Sequence, residues 1–416
     1  MTILLQFLIL LMVIQHASFA TQEGGLTLAD CYALSLKQSE TIAIQKELIE
    51  EAEGRFLRAL SVVLPHASFS SSDKRQDGSG GSAFTLKEVP ERKFVLNQNL
   101  FSGFKEIAAM ASVRAEKKQR THEKTRAEQL LLVDVANAFY LLLEQHEDLE
   151  TLGTTRTTLL ERMEELKERE KLGRSRPSEV VSAEAQLRRV EAEIERVRSQ
   201  KVIARQLLEF LTGRDPIEEI TDSEPSLPSL ETEEKHLTKA GKRPDVQAAE
   251  EAWRAAQKKV SVARGALFPT VALEGNYYVE RAGAAEDVNW DVALKVDAPI
   301  FQGGDHAGAM KEATARERQA KLQYQKAERA ASLDIRDATA RLKAAVARSA
   351  ALEKAMKASE EDYRFQVEDY RLSLVNNLDV LQALQALQEA RREYLHATYE
   401  AKRLYWQLRI ATGETL

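Results

Sequence analysis

The sequence predicts a mainly α protein with a small β part, built as one unit of long coiled-coil-like helices and two strands written twice, and three observations carry that reading. Charged residues make up 30% of the 416 while aromatics are 6%, with only 18 glycines and 9 prolines; that mixture is typical of long amphipathic helices. Landmarks recur at a shift of 200 residues: Phe101-Ser102-Gly103 falls on Phe301-Gln302-Gly303, Asp134 on Asp334, Glu179-Val180 on Asp379-Val380, and Thr212-Gly213 on Thr412-Gly413. Such spaced self-similarity marks an internal duplication. Finally, four short stretches alternate apolar and polar residues with the period of two that belongs to strands.

Taken in order, the N-terminus MTILLQFLILLMVIQHASFA has an apolar run followed by Ser18-Phe19-Ala20. The run is too short to span a bilayer and the small residues suit a cleavage point, so residues 1–20 read as a signal peptide, although no Lys or Arg precedes the run. A buried N-terminal helix is the rival reading. The single cysteine, Cys31, rules out an internal disulfide and a thiolate cluster and reads as a small buried residue on a helix.

The first repeat, 21–213, is expected to hold a helix over 26–64 ending at Leu64-Pro65, strands at about 66–75 and 92–101, a long helix over 104–172, a turn at 173–176 and a helix over 177–212. Residues 214–230, with Pro216, Pro225 and Pro228, form the linker. The second repeat, 231–416, follows the same plan: a helix over 231–266 ending at Phe268-Pro269, strands at about 270–280 and 289–299, a long helix over 304–372, a turn at 373–376 and a helix over 377–411. Gly213 and Gly413 supply the left-handed stops that end helices. The stretch from 104 to 172 would run about 100 Å at 1.5 Å per residue. Helices of that length build a rod or a tube, and runs such as LLLVDVANAFYLLLEQ (130–145) supply the apolar seams.

In TVALEGNYYVE (270–280), Val271, Leu273, Gly275, Tyr277 and Val279 share one side; in WDVALKVDAP (290–299), Trp290, Val292, Leu294, Val296 and Ala298 do the same. A helical layer or lipid would cover such a face. Strand length decides for lipid, because about 9 to 11 residues cross a bilayer at a tilt and Tyr277, Tyr278 and Trp290 lie near one end. The lipid-facing set is then Val271, Leu273, Tyr277, Val292, Leu294 and Val296. Four strands cannot stand alone in hydrocarbon, because their edges leave backbone groups unpaired, and membrane barrels begin at about eight strands. Three copies give twelve, so a homotrimer closing a barrel in membrane lipid is expected.

The order Leu-Pro, strand pair, APIFQGG (298–304), long helix, Asp-Val turn and terminal Thr-Gly resembles the TolC-type outer-membrane channel family of Gram-negative bacteria, from Leu26-Thr27-Leu28 to 412–413. The resemblance implies a trimer with a twelve-stranded outer-membrane barrel and a twelve-helix tunnel through the periplasm. It also implies the exit duct of a tripartite efflux or type I secretion system, with a periplasmic adaptor (membrane fusion) protein and an inner-membrane pump of RND or ABC type as partners. In the family the periplasmic mouth is narrowed by a tyrosine and aspartate rings, in a pattern like Tyr-x-x-Gly followed by Asp-Val-Leu-Asp. Here YRLSLVNNLDVLQA (370–383) keeps Tyr370 and Asp379, with Ser373 for the glycine, Gln382 for the second aspartate and Val375 where an arginine often makes a closing bond. KLGRSRPSEVVSA (171–183) keeps Gly173 and has Glu179 in the aspartate position. Asp379, Glu179, Tyr370 and Gln382 are thus the expected gate, and the tips carrying Gly173, Ser175, Ser373 and Val375 the expected adaptor dock. Asp379 also stands three residues after Asn376, the spacing of a helix cap, and the two roles can coexist.

No catalytic constellation stands beside these. The seven histidines never pair at metal-ligand spacing, and neither HExxH nor a nucleophile elbow occurs. The glycines of DGSGG (77–81) lack the following helix a phosphate cradle needs and read as a flexible hairpin loop. No enzyme, cofactor or metal is expected, and a net charge of −6 gives no reason to expect nucleic acid. The alternative function is a periplasmic coiled-coil scaffold without a pore.

Overall fold

The computed structural model describes residues 25–217, 219–223 and 231–416. The expected signal peptide at 1–20 and part of the linker lie outside the described residues. Among the described residues the elements run α1 (Leu28–Gln38), α2 (Glu40–Ser61), β1 (His66–Arg75), β2 (Glu88–Ser102), α3 (Lys105–Lys171) and α4 (Pro177–Thr212). They continue with α5 (Glu233–Leu237), a 3-10 turn (Ala240–Lys242), α6 (Pro244–Gly265), β3 (Thr270–Arg281), β4 (Trp290–Asp297), α7 (Asp305–Arg371) and α8 (Asn377–Ala411). The two long helices have 67 residues each.

Two expected helices are broken. Residues 26–64 divide at Ser39, whose extended backbone lets its hydroxyl accept from the Ile42 amide, so a new helix is capped in mid-segment. Residues 231–266 divide before Pro244, which holds Arg243 at φ −60°, ψ 138° and occupies the first turn of α6, where a missing N–H costs nothing. α1 begins with a capping box in which Thr27 and Asp30 exchange bonds of 3.1 and 3.3 Å. α4 ends at Gly213, φ 67°, where a Cβ would also strike the Gln38 side chain.

The chain forms two compact units, and each takes segments from both repeats. One gathers the described residues of 25–38, 134–223 and 350–399. Its core is a helical seam in which Leu152, Leu159 and Leu166, seven residues apart, meet Ala183, Leu187, Val190 and Val197, with Tyr370, Val380, Leu381 and Leu384 closing one end. Seven-residue spacing keeps one face of each helix on its partner over several turns, as in a coiled coil. A polar clasp sits beside the seam: Arg392 of α8 grips the buried Asp148 of α3 with two bonds of 2.7 and 2.8 Å and reaches Glu193 of α4 at 2.8 Å. Arg196, together with Arg392, holds the Glu193 carboxyl down at about 2. His396 pairs with the buried Glu144, which raises the imidazole above its ordinary value.

The other unit comprises Ser39–Val133, Ser229–Ser349 and Glu400–Leu416. Its helical core joins Val246, Ala331, Ile335 and Ala411, and the Trp253 ring stacks on Tyr324 at 5.8 Å. Arg243, almost fully buried, is neutralised by Asp245 (2.6 Å) and Asp334 (3.0 Å), which gives the repeat landmark Asp334 a structural role. This unit also carries the antiparallel sheet, ordered β1-β2-β3-β4. Consecutive strands of each repeat pair as hairpins, and β2 with β3 joins the two repeats.

Candidate functional site

The strand register places one apolar array on one face of the sheet. Val271 pairs with Val296, Leu273 with Leu294, Gly275 with Val292 and Tyr277 with Trp290; on the neighbouring ladders Tyr277 faces Phe94, and Phe94 faces Phe69 with ring centroids 5.2 Å apart. Tyr277, Trp290, Val292, Leu294 and Val296 each expose more than half of their surface, and Val271 and Leu273 are half-buried. The opposite face is polar and cross-linked: Lys295 pairs with Glu274, the Asn276 amide donates to Asp291 at 2.9 Å, and the Tyr278 hydroxyl donates to Asp291 at 2.8 Å. A period of two separates the two chemistries, and the unshifted β3–β4 register keeps them separate. An apolar patch of this kind, left open on a chain, marks a surface meant for lipid or a partner. The outer edges of β1 and β4 have no strand partner among the described residues.

The helix tips repeat one geometry. Just after α3, Gly173 takes φ 68°, its amide donating to the Glu170 carbonyl and that of Arg174 to Arg169 at 2.8 Å. Just after α7, Ser373 takes φ 62°, its amide donating to the Tyr370 carbonyl (3.0 Å) and that of Leu374 to Asp369 (2.9 Å). Both are six-to-one helix stops, and Ser373 holds a left-handed conformation without the steric freedom of glycine. Ser175 and Val375 are half-buried, Val375 lying against the seam core, while Gln382 is exposed.

The two candidate gate carboxylates are both engaged at helix starts. Asp379 accepts from the Asn376 amide at 3.0 Å while the Asn376 side chain accepts from Leu378 (2.7 Å) and Asp379 (3.3 Å), a complete capping box. Glu179 accepts from the Ser175 hydroxyl at 2.6 Å. Each remains partly exposed, so the cap leaves solvent-facing charge at both tips.

Tyr370 lies within the helical seam. It is 6% exposed, inside the seam core, with the Arg162 guanidinium 3.9 Å and that of Arg169 4.7 Å from its centroid. Arg162 also donates to the buried Asn377 at 2.9 Å and to Glu165 at 2.7 Å. Cation–π attraction is strongest where water is excluded, which suits a guanidinium with a buried Nη2 that has no hydrogen-bond partner. Sequence reasoning missed this cluster, since Arg162 and Asn377 are far apart along the chain. It also missed four leucines standing exposed at the tips, Leu172, Leu372, Leu374 and Leu378; their position beside the two left-handed turns was the available signal.

Among the described residues no helix is long and apolar enough to cross a membrane, and no cluster of His, Cys, Asp and Glu is grouped to hold a metal.

Comparison with known proteins gives consistent matches. Residues 240–414 match the family described as outer membrane efflux protein. Outer membrane protein OprJ of Pseudomonas aeruginosa is 25% identical over 311 residues, which span 70% of this chain and 63% of that protein. Among solved structures, the outer membrane protein VceC of Vibrio cholerae superposes with a TM-score of 0.81 at 22% identity, covering 93% of this chain and 96% of that one. CusC gives 0.81 at 18% identity, covering 93% and 92%, and the open-state MtrE outer membrane channel of Neisseria gonorrhoeae 0.78 at 20%, covering 93% and 89%. These structural likenesses establish the fold.

Proposed function

We propose that the chain, whose residues 240–414 match the family described as outer membrane efflux protein, is an outer-membrane exit duct, a passive conduit for export across the periplasm and outer membrane. Its place is the outer membrane of a Gram-negative bacterium. Three copies assemble, their sheets joining edge to edge into a twelve-stranded barrel and their long helices into a twelve-helix tunnel. The observation that carries this reading is the sheet itself. One face is an open apolar array and the other a polar, ion-paired surface, and both outer edges lack strand partners among the described residues. Backbone groups in hydrocarbon must be paired, so such a sheet is stable in lipid only when further strands close it.

The duct performs no chemistry. A periplasmic adaptor protein docks on the tips around Gly173, Ser175, Ser373 and Val375, and an inner-membrane pump of RND or ABC type supplies the energy. The gate is the ring made at the tips by Asp379 and Glu179 of three copies, with Gln382 beside it. Tyr370 contributes by holding the end of α7 against Arg162 and Asn377. Six carboxylates converging on a narrow passage attract cations and repel anions.

The test is conductance in planar bilayers alongside native mass in detergent. A trimer with cation-selective conductance is expected, and Asp379→Asn with Glu179→Gln should weaken that selectivity. A variant that loses thermal stability yet keeps its selectivity would restrict the two carboxylates to capping. A chain that washes from membranes without detergent would instead be a periplasmic scaffold.

A further inference from the structure

The two helix tips share one backbone and differ in chemistry. Each turns through a left-handed residue just after an exposed leucine, Leu172 before Gly173 and Leu372 before Ser373, and both leucines are 70% exposed. Beyond that point the repeats diverge. At a shift of 200, Arg174 stands for Leu374, Ser175 for Val375, Arg176 for Asn376 and Ser178 for Leu378. The loop 172–176 therefore carries two positive charges and no negative one, whereas the loop 372–376 carries no charge.

Neither chemistry is consumed within the chain. Arg169 and Lys171, in the last turn of α3, are paired with Glu165 and Glu168, but Arg174 and Arg176 are exposed and have no ion pair among the described residues. On the other tip Leu374 is 70% and Leu378 55% exposed. The hydrogen bonds that close both turns hold these side chains on an ordered backbone, so docking costs little loop ordering. Exposed leucines at fixed positions mark a contact surface, and unpaired arginines give that surface a sign.

We infer that the partner docking on these tips is a protein whose own tips bring an apolar socket beside a carboxylate. The socket takes the leucine that both tips share, Leu172 or Leu372. On the α3–α4 tip the carboxylate is gripped by Arg174 and Arg176, because the planar guanidinium fork matches it with two parallel bonds. On the α7–α8 tip Leu374 and Leu378 extend the apolar contact instead. Six contacts on three copies then fall into two classes, three that salt weakens and three that it does not. An anionic lipid surface fits less well, because it would draw cations to every tip and the 372–376 loop has none.

The inference rests on the reading of the tips as an adaptor dock, and the experiment separates the two. The full chain is held in phosphatidylcholine nanodiscs and offered a display library built on one disulfide-stapled two-helix hairpin with randomised tip residues. Tip binders are those lost when Leu172→Gln with Leu372→Gln removes the shared leucines. They should carry Asp or Glu beside apolar residues and should bind less as salt rises, since 1 M ionic strength cuts the reach of exposed charges to about 3 Å. Arg174→Glu with Arg176→Glu should weaken their binding by about tenfold or more, as loss of an arginine anchor does at an interface, and exchanging the hairpin's acidic residue for Lys should restore it. Leu374→Arg with Asn376→Arg, which gives the second tip the charges of the first, should raise the number of salt-sensitive hairpins bound per trimer from three towards six. A library without tip binders, tip binders without acidic enrichment, or binding indifferent to the arginine reversal would overturn the inference. Retention of the nanodiscs on phosphatidylglycerol vesicles, abolished by the arginine reversal while no hairpin binds, would assign the tips to lipid and overturn it too. Planar-bilayer conductance is recorded for each preparation: any of these failures in a conducting chain leaves the duct standing, whereas a chain that does not conduct removes the duct and the dock with it.

Discussion

Replacing Leu294 by Arg tests the assignment of the sheet faces. Leu294 is 62% exposed and pairs with Leu273 within the β3–β4 ladder that runs from Thr270↔Asp297 to Tyr277↔Trp290. It stands three residues from Asp297 and four from Trp290, so at about 3.3 Å per residue it is roughly 10 to 13 Å from either end of the strand. The apolar band of a membrane barrel is about 25 Å tall, which puts Leu294 near its middle. Arginine at that depth costs about 2 to 4 kcal/mol, against about 0 to 1 near the interfaces. At about 1.4 kcal/mol per factor of ten, the folded population in lipid should fall about 30- to 1,000-fold. Lys295, one residue on, lies on the polar face beside Glu274, and Lys295→Arg keeps that cation, so its cost should be near zero. The assay is urea-controlled folding into phosphatidylcholine vesicles, followed by tryptophan fluorescence and protease protection. Equal midpoint shifts for the two variants, or a larger one for Lys295→Arg, would refute the assignment of the apolar face to lipid.

Three further outcomes are expected in the helical unit that contains the tips. Arg392→Met leaves the nearly inaccessible Asp148 without its bidentate partner and should cost about 3 kcal/mol in guanidinium unfolding followed by circular dichroism, with Asp148→Asn in the same chain restoring about half; a double variant no better than the single would dismiss the clasp. Because the His396 value is raised by Glu144, with Asp148 adding and Arg392 opposing, its stabilisation is complete below the ordinary histidine range and is lost as pH rises through the raised value. Glu193, held at about 2, acts in the other direction: its stabilisation is present above the ordinary carboxylate range and disappears as pH falls towards about 2. The melting temperature should therefore drop on both sides, His396→Gln removing only the alkaline limb; an unaltered alkaline limb would deny His396 that part. Arg162→Ala removes both the stacking on Tyr370 and the bond to Asn377, together about 2 to 4 kcal/mol, so amide exchange across 370–380 should quicken much more than in Arg169→Ala, whose guanidinium is 4.7 Å from the ring.

What was legible in the chain was what local rules dictate. The four strands and both long helices could be read from period and punctuation, because alternation at two, apolar seams and the stops at Gly173, Gly213 and Gly413 act over a few residues. The two broken helices were legible in principle and were overlooked. Ser39 followed by an acidic residue, and Pro244 after Arg243, are both helix-start signals, but each lay inside an otherwise unbroken helical pattern. Duplication was also visible, since order and spacing survive when identity does not.

Tertiary structure decided which members of each pattern meet. Tyr370, the motif tyrosine, lies inside the seam under Arg162, which is 208 positions away in the chain; no local spacing encodes that pairing. Asp379 and Glu179 were legible as acidic residues at matching positions of the two repeats, but only coordinates showed that both are bound at helix starts while still facing solvent. The two glycine turns look alike along the chain and differ completely in surroundings, Gly103 filled by Gly265 and Gly303 open. The reason is physical: periodicity and capping are properties of neighbouring residues, whereas burial is a property of what the rest of the chain brings to the same place, and two copies of one unit need not be covered by the same thing.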